Sequence, residues 1–238
     1  MIDETCQLNC RFGRCRKHIY SILYYLIRDN VILGEIMETE LKIIGVYEKD
    51  HVKGISMNEM ARNLGLTYSY LYKNVQNMIR ENILISKRIG RSTICSINIE
   101  NRKARLLLSL ASQKKTDSFL SKNKVLSKML EEAVQRLGQK TKTLYSIILF
   151  GSYAKGREKK ASDIDLLIIM SEKEDEAVHE ELNTIETRYG KAINPVIVDQ
   201  EMFKKMAGSK DQNVVKEAII DKVVLYGFEH FWELLSEV

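Results

Sequence analysis

The sequence has little proline, cysteine or tryptophan: among its 238 residues are one proline, four cysteines and one tryptophan. One proline and 12 glycines leave no proline-rich or glycine-rich segment of the kind that indicates a disordered or fibrous protein. The apolar run at residues 20–27 is too short to cross a membrane. Its hydrophobic fraction of 45% is sufficient for packed cores. We therefore predict a globular, cytoplasmic protein with no membrane partner.

Three of the four cysteines stand close together near the N-terminus. Cys6, Cys10, Cys15 and His18 are ligand types that Zn²⁺ accepts, although their spacing matches no familiar zinc finger. The other interpretation is that they are free thiols, as is usual in the cytosol. The role of residues 1–36, an N-terminal extension, stays open, as does the alternative that the chain starts at Met37.

The most informative segment lies in the C-terminal half, where two apolar runs flank a Gly-Ser pair and two acids. Residues 143–150 predict a buried strand that stops at Gly151 and Ser152. A second predicted strand begins with Asp163 and Asp165. Because strand side chains alternate between faces, these two carboxylates are expected to point the same way. Paired carboxylates repel each other unless a cation lies between them, and their oxygen atoms suit Mg²⁺.

Together these residues form the pattern GSx10DxD, with ten residues between Ser152 and Asp163. The pattern resembles that of the nucleotidyltransferase superfamily, which includes DNA polymerase β and the aminoglycoside nucleotidyltransferases. The resemblance covers about residues 125–238. It implies a mixed sheet flanked by helices, and metal-assisted transfer of a nucleoside monophosphate from an NTP with release of pyrophosphate.

The resemblance also implies roles for individual residues. The implied nucleotide-binding residues are Gly151, Ser152, Lys155 and Arg157. The implied ligands of Mg²⁺ or Mn²⁺ are Asp163 and Asp165, and the substrate is an NTP, with ATP favoured. For the two basic residues the alternative is a solvated loop without a role in binding.

A third carboxylate on the following strand is also used by the family, but this chain departs from that pattern. After a predicted helix over residues 175–189, the matching position is Asn194, which we carry as a catalytic candidate. An asparagine oxygen can bind a metal, but the amide has no charge and cannot act as a general base. Asp199 is a weaker candidate for a substitute acid. Pro195 predicts that this strand lies at a sheet edge or contains a bulge.

The rest of the C-terminal half predicts further helices around this sheet. Apolar residues at helical spacing indicate helices over residues 126–137, 201–206 and 212–225. The aromatic residues Phe228 to Trp232 near the C-terminus are expected to lie in the core rather than to stack on bases.

The N-terminal half carries a second pattern, of three amphipathic helices followed by a hairpin. Helices are predicted over residues 37–47, 55–66 and 68–81, with a turn at residues 65–67. Alternation around Gly90 predicts a β-hairpin with a basic tip. This arrangement resembles the winged helix-turn-helix domain of prokaryotic transcription regulators. The residues that would face DNA are Tyr70, Lys73, Asn74 and Asn77 on the third helix and Lys87, Arg88 and Arg91 on the hairpin.

Charge supports a nucleic-acid partner for the N-terminal half. Residues 1–110 hold 17 Lys and Arg against 11 Asp and Glu, whereas the remainder holds 20 against 21. We therefore predict a two-domain α/β (α+β) protein with a DNA-binding domain at 37–111, a linker at 112–124 and a nucleotidyltransferase domain at 125–238. A packing or homodimerisation role for the winged helix is the alternative.

Two functions from different classes stay open. The first is an enzyme that transfers a nucleotidyl group to a nucleic acid or protein acceptor, which the intact GSx10DxD pattern favours. The second is a DNA-binding regulator whose C-terminal domain senses a nucleotide without turning it over, which Asn194 favours.

Overall fold

The structure, a computed structural model, describes residues 31–172 and 174–238. Residues Leu41–Val238 form one compact unit. The predicted cysteine and histidine cluster at residues 6–18 lies outside the described residues. Within the described ranges, no helix is both long and apolar enough to cross a membrane.

The first part of the described chain consists of helices and a small antiparallel sheet. The helices are α1 (Val31–Gly45), α2 (Met57–Leu64), α3 (Tyr68–Arg80) and α4 (Arg102–Leu120), and the strands are β1 (Ile55–Ser56), β2 (Leu84–Ile89) and β3 (Ser92–Ile97), in the order β1-β3-β2. The side chain of Ser56 accepts a hydrogen bond from the Glu59 N–H at the start of α2, and Gly65 ends this helix with φ +64°. The predicted three helices and hairpin are therefore present.

A four-stranded mixed sheet forms the centre of the C-terminal half. Its strands are β4 (Leu144–Phe150), β5 (Ile164–Met170), β6 (Ile193–Asp199) and β7 (Val223–Tyr226), and its helices are α5 (Lys124–Lys140), α6 (Gly151–Ala154), α7 (Asp175–Tyr189), α8 (Gln200–Gly208), α9 (Val214–Ile220) and α10 (Phe228–Leu235). The strand order is β6-β5-β4-β7, with β5 and β6 parallel and the other pairs antiparallel. Strand β6 therefore lies at an edge, as Pro195 predicts.

Alternate residues of the central strands β4 and β5 face two different layers of core. On one face Ile147, Leu149 and Ile168 pack with buried residues of α5 and α7. The opposite face, which includes Ile148 and Leu167, belongs to a core that continues into α2, α3 and the first sheet. The two sheets thus share one apolar cluster, which explains why residues 41–238 form a single compact unit.

The segment predicted as a linker, residues 112–124, differs from that expectation. Residues 112–120 continue α4 instead of forming a loop. Two of its polar side chains are buried and hydrogen-bonded: Ser112 accepts from the Trp232 Nε1–H at 3.1 Å, and Thr116 donates to the Val224 carbonyl at 2.8 Å. Polarity here marks internal hydrogen bonds rather than exposure to solvent.

The helix predicted over residues 212–225 is also corrected. Helix α9 ends at Ile220, and Val223 begins strand β7. The chain leaves the helix at Asp221 because the next residue, Lys222, is fully buried and donates from Nζ to the carbonyls of Ile219 and Glu48. The predicted core position is confirmed for Phe231 and Trp232, at 0% exposure, whereas Phe228 is half-buried against the same core.

Candidate active site

Three positions line up across neighbouring strands where the Gly-Ser turn meets the paired acids. Phe150, the last residue of β4, is opposite Asp165 on β5. Asp165 is in turn the register partner of Asn194 on β6. Since Gly151 follows Phe150 directly, strand pairing brings the turn, the second aspartate and the asparagine into one row. The sequence prediction that Asn194 occupies the position of the third acid agrees with this register.

Gly151 is required at the turn for two separate reasons. Its φ of +70° lies in the left-handed region, which residues with a Cβ rarely adopt. A Cβ at this position would also lie 2.1 Å from Oδ2 of Asp165. The absence of a side chain thus lets the Asp165 carboxylate pack directly against the backbone of the turn.

Asn194 contacts the same carboxylate from the other side. Its Nδ2 donates a hydrogen bond to Oδ1 of Asp165 at 3.1 Å. Asp199, the weaker candidate for a substitute acid, lies at the opposite end of β6, where its side chain accepts a hydrogen bond from the Met202 N–H at the start of α8. A helix-capping role therefore accounts for Asp199.

The donor set fits a hard divalent cation. Asp163 immediately precedes β5 and is exposed, whereas Asp165 is half-buried against Gly151. Carboxylate oxygens on one side of a strand, with an amide next to them, are ligands that Mg²⁺ or Mn²⁺ accepts. No group of three or more Asp, Glu, His or Cys side chains suited to a metal occurs among the described residues. The site thus offers two acids and an amide where three acids would be expected.

The two basic nucleotide-binding candidates differ in their surroundings. Arg157 is exposed, and its backbone N–H donates to the Ser152 carbonyl at 2.9 Å. Lys155 instead points to α9, where its Nζ lies 2.7 Å from Oε1 of Glu217 and 3.7 Å from Oδ2 of Asp221. The hydrogen bond to Glu217 raises the pKa of Lys155 above its usual value, against the opposing effect of burial, so that this lysine stays charged.

The residues proposed to face DNA lie on α3 and the β2–β3 hairpin. Tyr70 and Lys73 are exposed, whereas Asn74 and Asn77 are half-buried. Asn74 donates to the Tyr70 carbonyl at 2.9 Å, and Asn77 accepts a hydrogen bond from Arg80. The two amides are therefore engaged within their own helix.

The hairpin has the geometry expected of a tight turn with a basic tip. Ile89 pairs with Ser92, and Gly90 at the turn adopts φ +59°. The basic side chains near this turn are all exposed: Lys87, Arg88 and Arg91.

Sequence reasoning overlooked two exposed aromatic residues on α3. Tyr68 and Tyr72 are 47% and 46% exposed, and their rings stack with centroids 6.1 Å apart. Their spacing of four residues places them on one side of a helix, which is a signal present in the sequence. Glu217 and Asp221, the partners of Lys155, were also missed, because nothing local relates them to a residue about 60 positions earlier.

The C-terminal half of the chain is similar to known proteins. The model of the nucleotidyltransferase domain family matches residues 127–229, which include the turn, both aspartates and Asn194. Three proteins of Methanocaldococcus jannaschii that carry the name protein adenylyltransferase are 31%, 36% and 33% identical to this chain. The matches cover 46%, 38% and 35% of this chain and 78%, 91% and 75% of those proteins.

Two solved structures are also similar to part of the chain. They are a toxin–antitoxin crystal structure with AMP-PNP, at 20% identity, and a mutant toxin–antitoxin structure, MntA-HpeT, at 16% identity. Each match covers 45% of this chain and 81% of the solved chain. The TM-score of each is 0.35, which is too low to establish a shared fold. With the family match and the adenylyltransferase relatives, the chain belongs to the nucleotidyltransferase family and is a nucleotidyltransferase enzyme.

Proposed function

We propose that this enzyme transfers AMP from ATP to a protein acceptor and binds DNA through its N-terminal half. The observation that carries the catalytic part is the row formed by Gly151, Asp165 and Asn194, in which the turn is packed onto one carboxylate of the pair. The names of the M. jannaschii relatives support ATP as the nucleotide and a protein as the acceptor.

In this proposal each residue of the site has a distinct task. The turn at Gly151 and Ser152 binds the triphosphate through backbone N–H groups and the serine hydroxyl. Asp163 and Asp165 hold Mg²⁺ or Mn²⁺, which supplies charge stabilisation at the phosphoryl oxygens when bound. The acceptor oxygen forms a bond to the α-phosphorus, the bond from this phosphorus to the bridging oxygen breaks, and pyrophosphate leaves.

Asn194 orients Asp165 in this scheme but does not take a proton. A carboxamide has no basic site that is useful at neutral pH. The proton of the acceptor hydroxyl therefore goes to water or to a base that the acceptor itself supplies. The hydrogen bond from Asn194 Nδ2 to Asp165 Oδ1 keeps that carboxylate in one orientation beside the turn.

We further propose that residues 37–111 form a winged helix-turn-helix domain, with 125–238 as the catalytic domain. Support comes from the α2–α3 pair joined at Gly65 and from the hairpin with its three exposed basic residues. In this arrangement Tyr70 and Lys73 on α3 and the hairpin residues Lys87, Arg88 and Arg91 contact DNA phosphates and base edges. A homodimer that binds two half-sites, in the cytoplasm, is compatible with this proposal.

Asn194 favours one alternative, a DNA-binding regulator that binds a nucleotide without transferring it. The two functions differ in a single measurable step. An enzyme releases pyrophosphate and labels an acceptor, whereas a sensor binds ATP and changes its affinity for DNA without releasing pyrophosphate.

The test is label transfer from each α-³²P NTP with Mg²⁺ or Mn²⁺, with cell lysate and co-encoded proteins as acceptors. The double variant Asp163→Ala/Asp165→Ala removes the proposed metal ligands and should abolish transfer. Asp211→Asn, at an exposed aspartate between α8 and α9, is the matched control and should leave transfer unchanged. Label on protein that depends on both aspartates supports the proposal; ATP binding without transfer by the wild type contradicts it.

A further inference from the structure

We propose that Glu217, together with Asp221, is a positioning residue that orients the phosphate-binding turn through Lys155; this inference rests on the proposed function of that turn. Glu217 lies on α9, outside the GSx10DxD pattern. Its role would be to fix the end of the turn before a nucleotide arrives, so that the turn does not have to become ordered on binding.

Lys155 is part of the turn and not of a separate loop. Its backbone N–H donates to the Gly151 carbonyl at 3.2 Å, and the Gly156 N–H donates to the Tyr153 carbonyl at 3.1 Å. Fixing the Lys155 side chain therefore also restrains the backbone of Gly151, four residues earlier. Both carboxylates on its ammonium, Glu217 at 2.7 Å and Asp221 at 3.7 Å, come from α9 and its end.

Helix α9 is itself held in place at several points. Val215 and Ala218 are buried, at 0% and 1% exposure. The side chain of Asn213 accepts a hydrogen bond from the Lys216 N–H at 3.1 Å, which caps the start of the helix. Beyond its end, the fully buried Lys222 binds the carbonyls of Ile219 and Glu48. The ion pair thus joins a glycine-containing turn to a fixed helix.

The exposure of the pair indicates geometry rather than stability as its contribution. The side chains of Lys155 and Glu217 are 28% and 47% exposed. Ion pairs with this exposure typically contribute little to the free energy of unfolding. Holding a turn in its binding conformation, in contrast, lowers the entropy lost when the ligand binds.

The competing interpretation, that Lys155 binds phosphate directly, predicts effects of the opposite sign. If Lys155 is a phosphate ligand, Glu217 and Asp221 compete for its ammonium, and removing their charge should strengthen nucleotide binding. If Lys155 is an anchor, removing either partner should weaken binding by a similar factor, and removing both should weaken it no further.

The experiment measures the dissociation constant of ATP with Mg²⁺ by calorimetry, in the full chain, for Glu217→Gln, Lys155→Met, the double variant and the charge swap Lys155→Glu/Glu217→Lys. We expect about a tenfold higher dissociation constant in each single variant and in the double variant, with partial recovery in the swap. Glu81→Gln is the matched control, because Glu81 pairs with Lys103 and its side chain is also 47% exposed.

Steady-state kinetics separate positioning from chemistry. Glu217→Gln should raise KM for ATP by the same factor and leave kcat nearly unchanged. Tighter ATP binding in Glu217→Gln, or an additive loss in the double variant, overturns the inference. Wild-type binding of ATP without any transfer would overturn the proposed function instead, while the series of dissociation constants would still decide the role of Glu217.

Discussion

Replacing Gly151 by alanine tests the central geometry of the site. The added Cβ would lie 2.1 Å from Asp165 Oδ2 and 2.9 Å from Asp165 Cγ, so the carboxylate has to move. To reach an ordinary contact distance of 3.4 Å, the oxygen must move by more than 1 Å, and misplacement by about 1 Å can already cost about 100-fold in rate. We therefore expect kcat/KM for nucleotidyl transfer to fall by about 100-fold in Gly151→Ala.

The same substitution also places a side chain on a left-handed backbone, and a control isolates this effect. Gly190, at the end of α7, has φ +62° and nothing within 4 Å of an added Cβ. Gly190→Ala should therefore lose about 1–2 kcal/mol of stability from backbone strain alone, and Gly151→Ala should lose at least as much because its Cβ also displaces Asp165. Both variants should remain folded, and only Gly151→Ala should lose activity.

The assays are urea unfolding, followed by circular dichroism, and label transfer under conditions in which both variants are fully folded. Crystallography of Gly151→Ala should show the Asp165 carboxylate rotated away from the turn, with its hydrogen bond to Asn194 broken. Equal kcat/KM values in the two variants would refute the reasoning, because they would mean that contact between the turn and Asp165 does not matter for transfer.

Three further variants test other parts of the protein. Asn194→Asp supplies the missing acid, and we expect transfer to become about 100-fold faster if proton removal limits the rate. Metal titrations should also show tighter Mg²⁺ binding. An unchanged rate would place proton removal elsewhere. Burial lowers the pKa of Lys222 to about 8, from 10.5 in an unfolded chain, so between these values the unfolded state binds more protons and the free energy of unfolding should rise with pH. That rise, at most about 1.4 kcal/mol per pH unit for one group, should be absent from urea unfolding of Lys222→Met, and an identical pH dependence in both proteins would contradict it. Replacing Lys87, Arg88 and Arg91 by alanine should weaken DNA binding and lower the salt dependence of log K by about 0.9 for each DNA phosphate that the hairpin no longer neutralises; unchanged fluorescence anisotropy titrations would remove the hairpin from the DNA-binding surface.

Much of the catalytic half was predictable because its signals are local. Strands β4 and β5 are short apolar runs bounded by a glycine and by aspartates, and both are buried as predicted. The apolar residues whose helical spacing predicts α5 are all buried: Leu126, Met129, Leu130, Ala133 and Leu137. The parallel pairing of β5 and β6 aligns Asn194 with Asp165, while the role of Asn194 as the third site residue stays a prediction.

The errors arise where a polar residue is buried by a distant partner. Ser112 and Thr116 look like linker residues until the hydrogen bonds to Trp232 and Val224 are known. Lys222 likewise looks like an exposed helical lysine, but it is buried among aromatic rings, with its Nζ 5.0 Å from the centroid of the Trp232 ring. Local patterns carry no information about such long-range hydrogen bonds.

In the proposed mechanism, the site combines a preformed nucleotide-binding turn with no side chain that could remove the acceptor's proton. Gly151 and Asp165 are fixed against each other, and Lys155 is tied to α9, so the parts that would hold ATP are arranged before it binds. In this proposal Asn194 stands where the resemblance implies a carboxylate, and its amide cannot take the acceptor's proton. An acceptor whose hydroxyl ionises readily, or that brings its own base, should therefore react much faster than a simple alcohol. In such an enzyme the choice of acceptor would follow from proton chemistry as well as from docking.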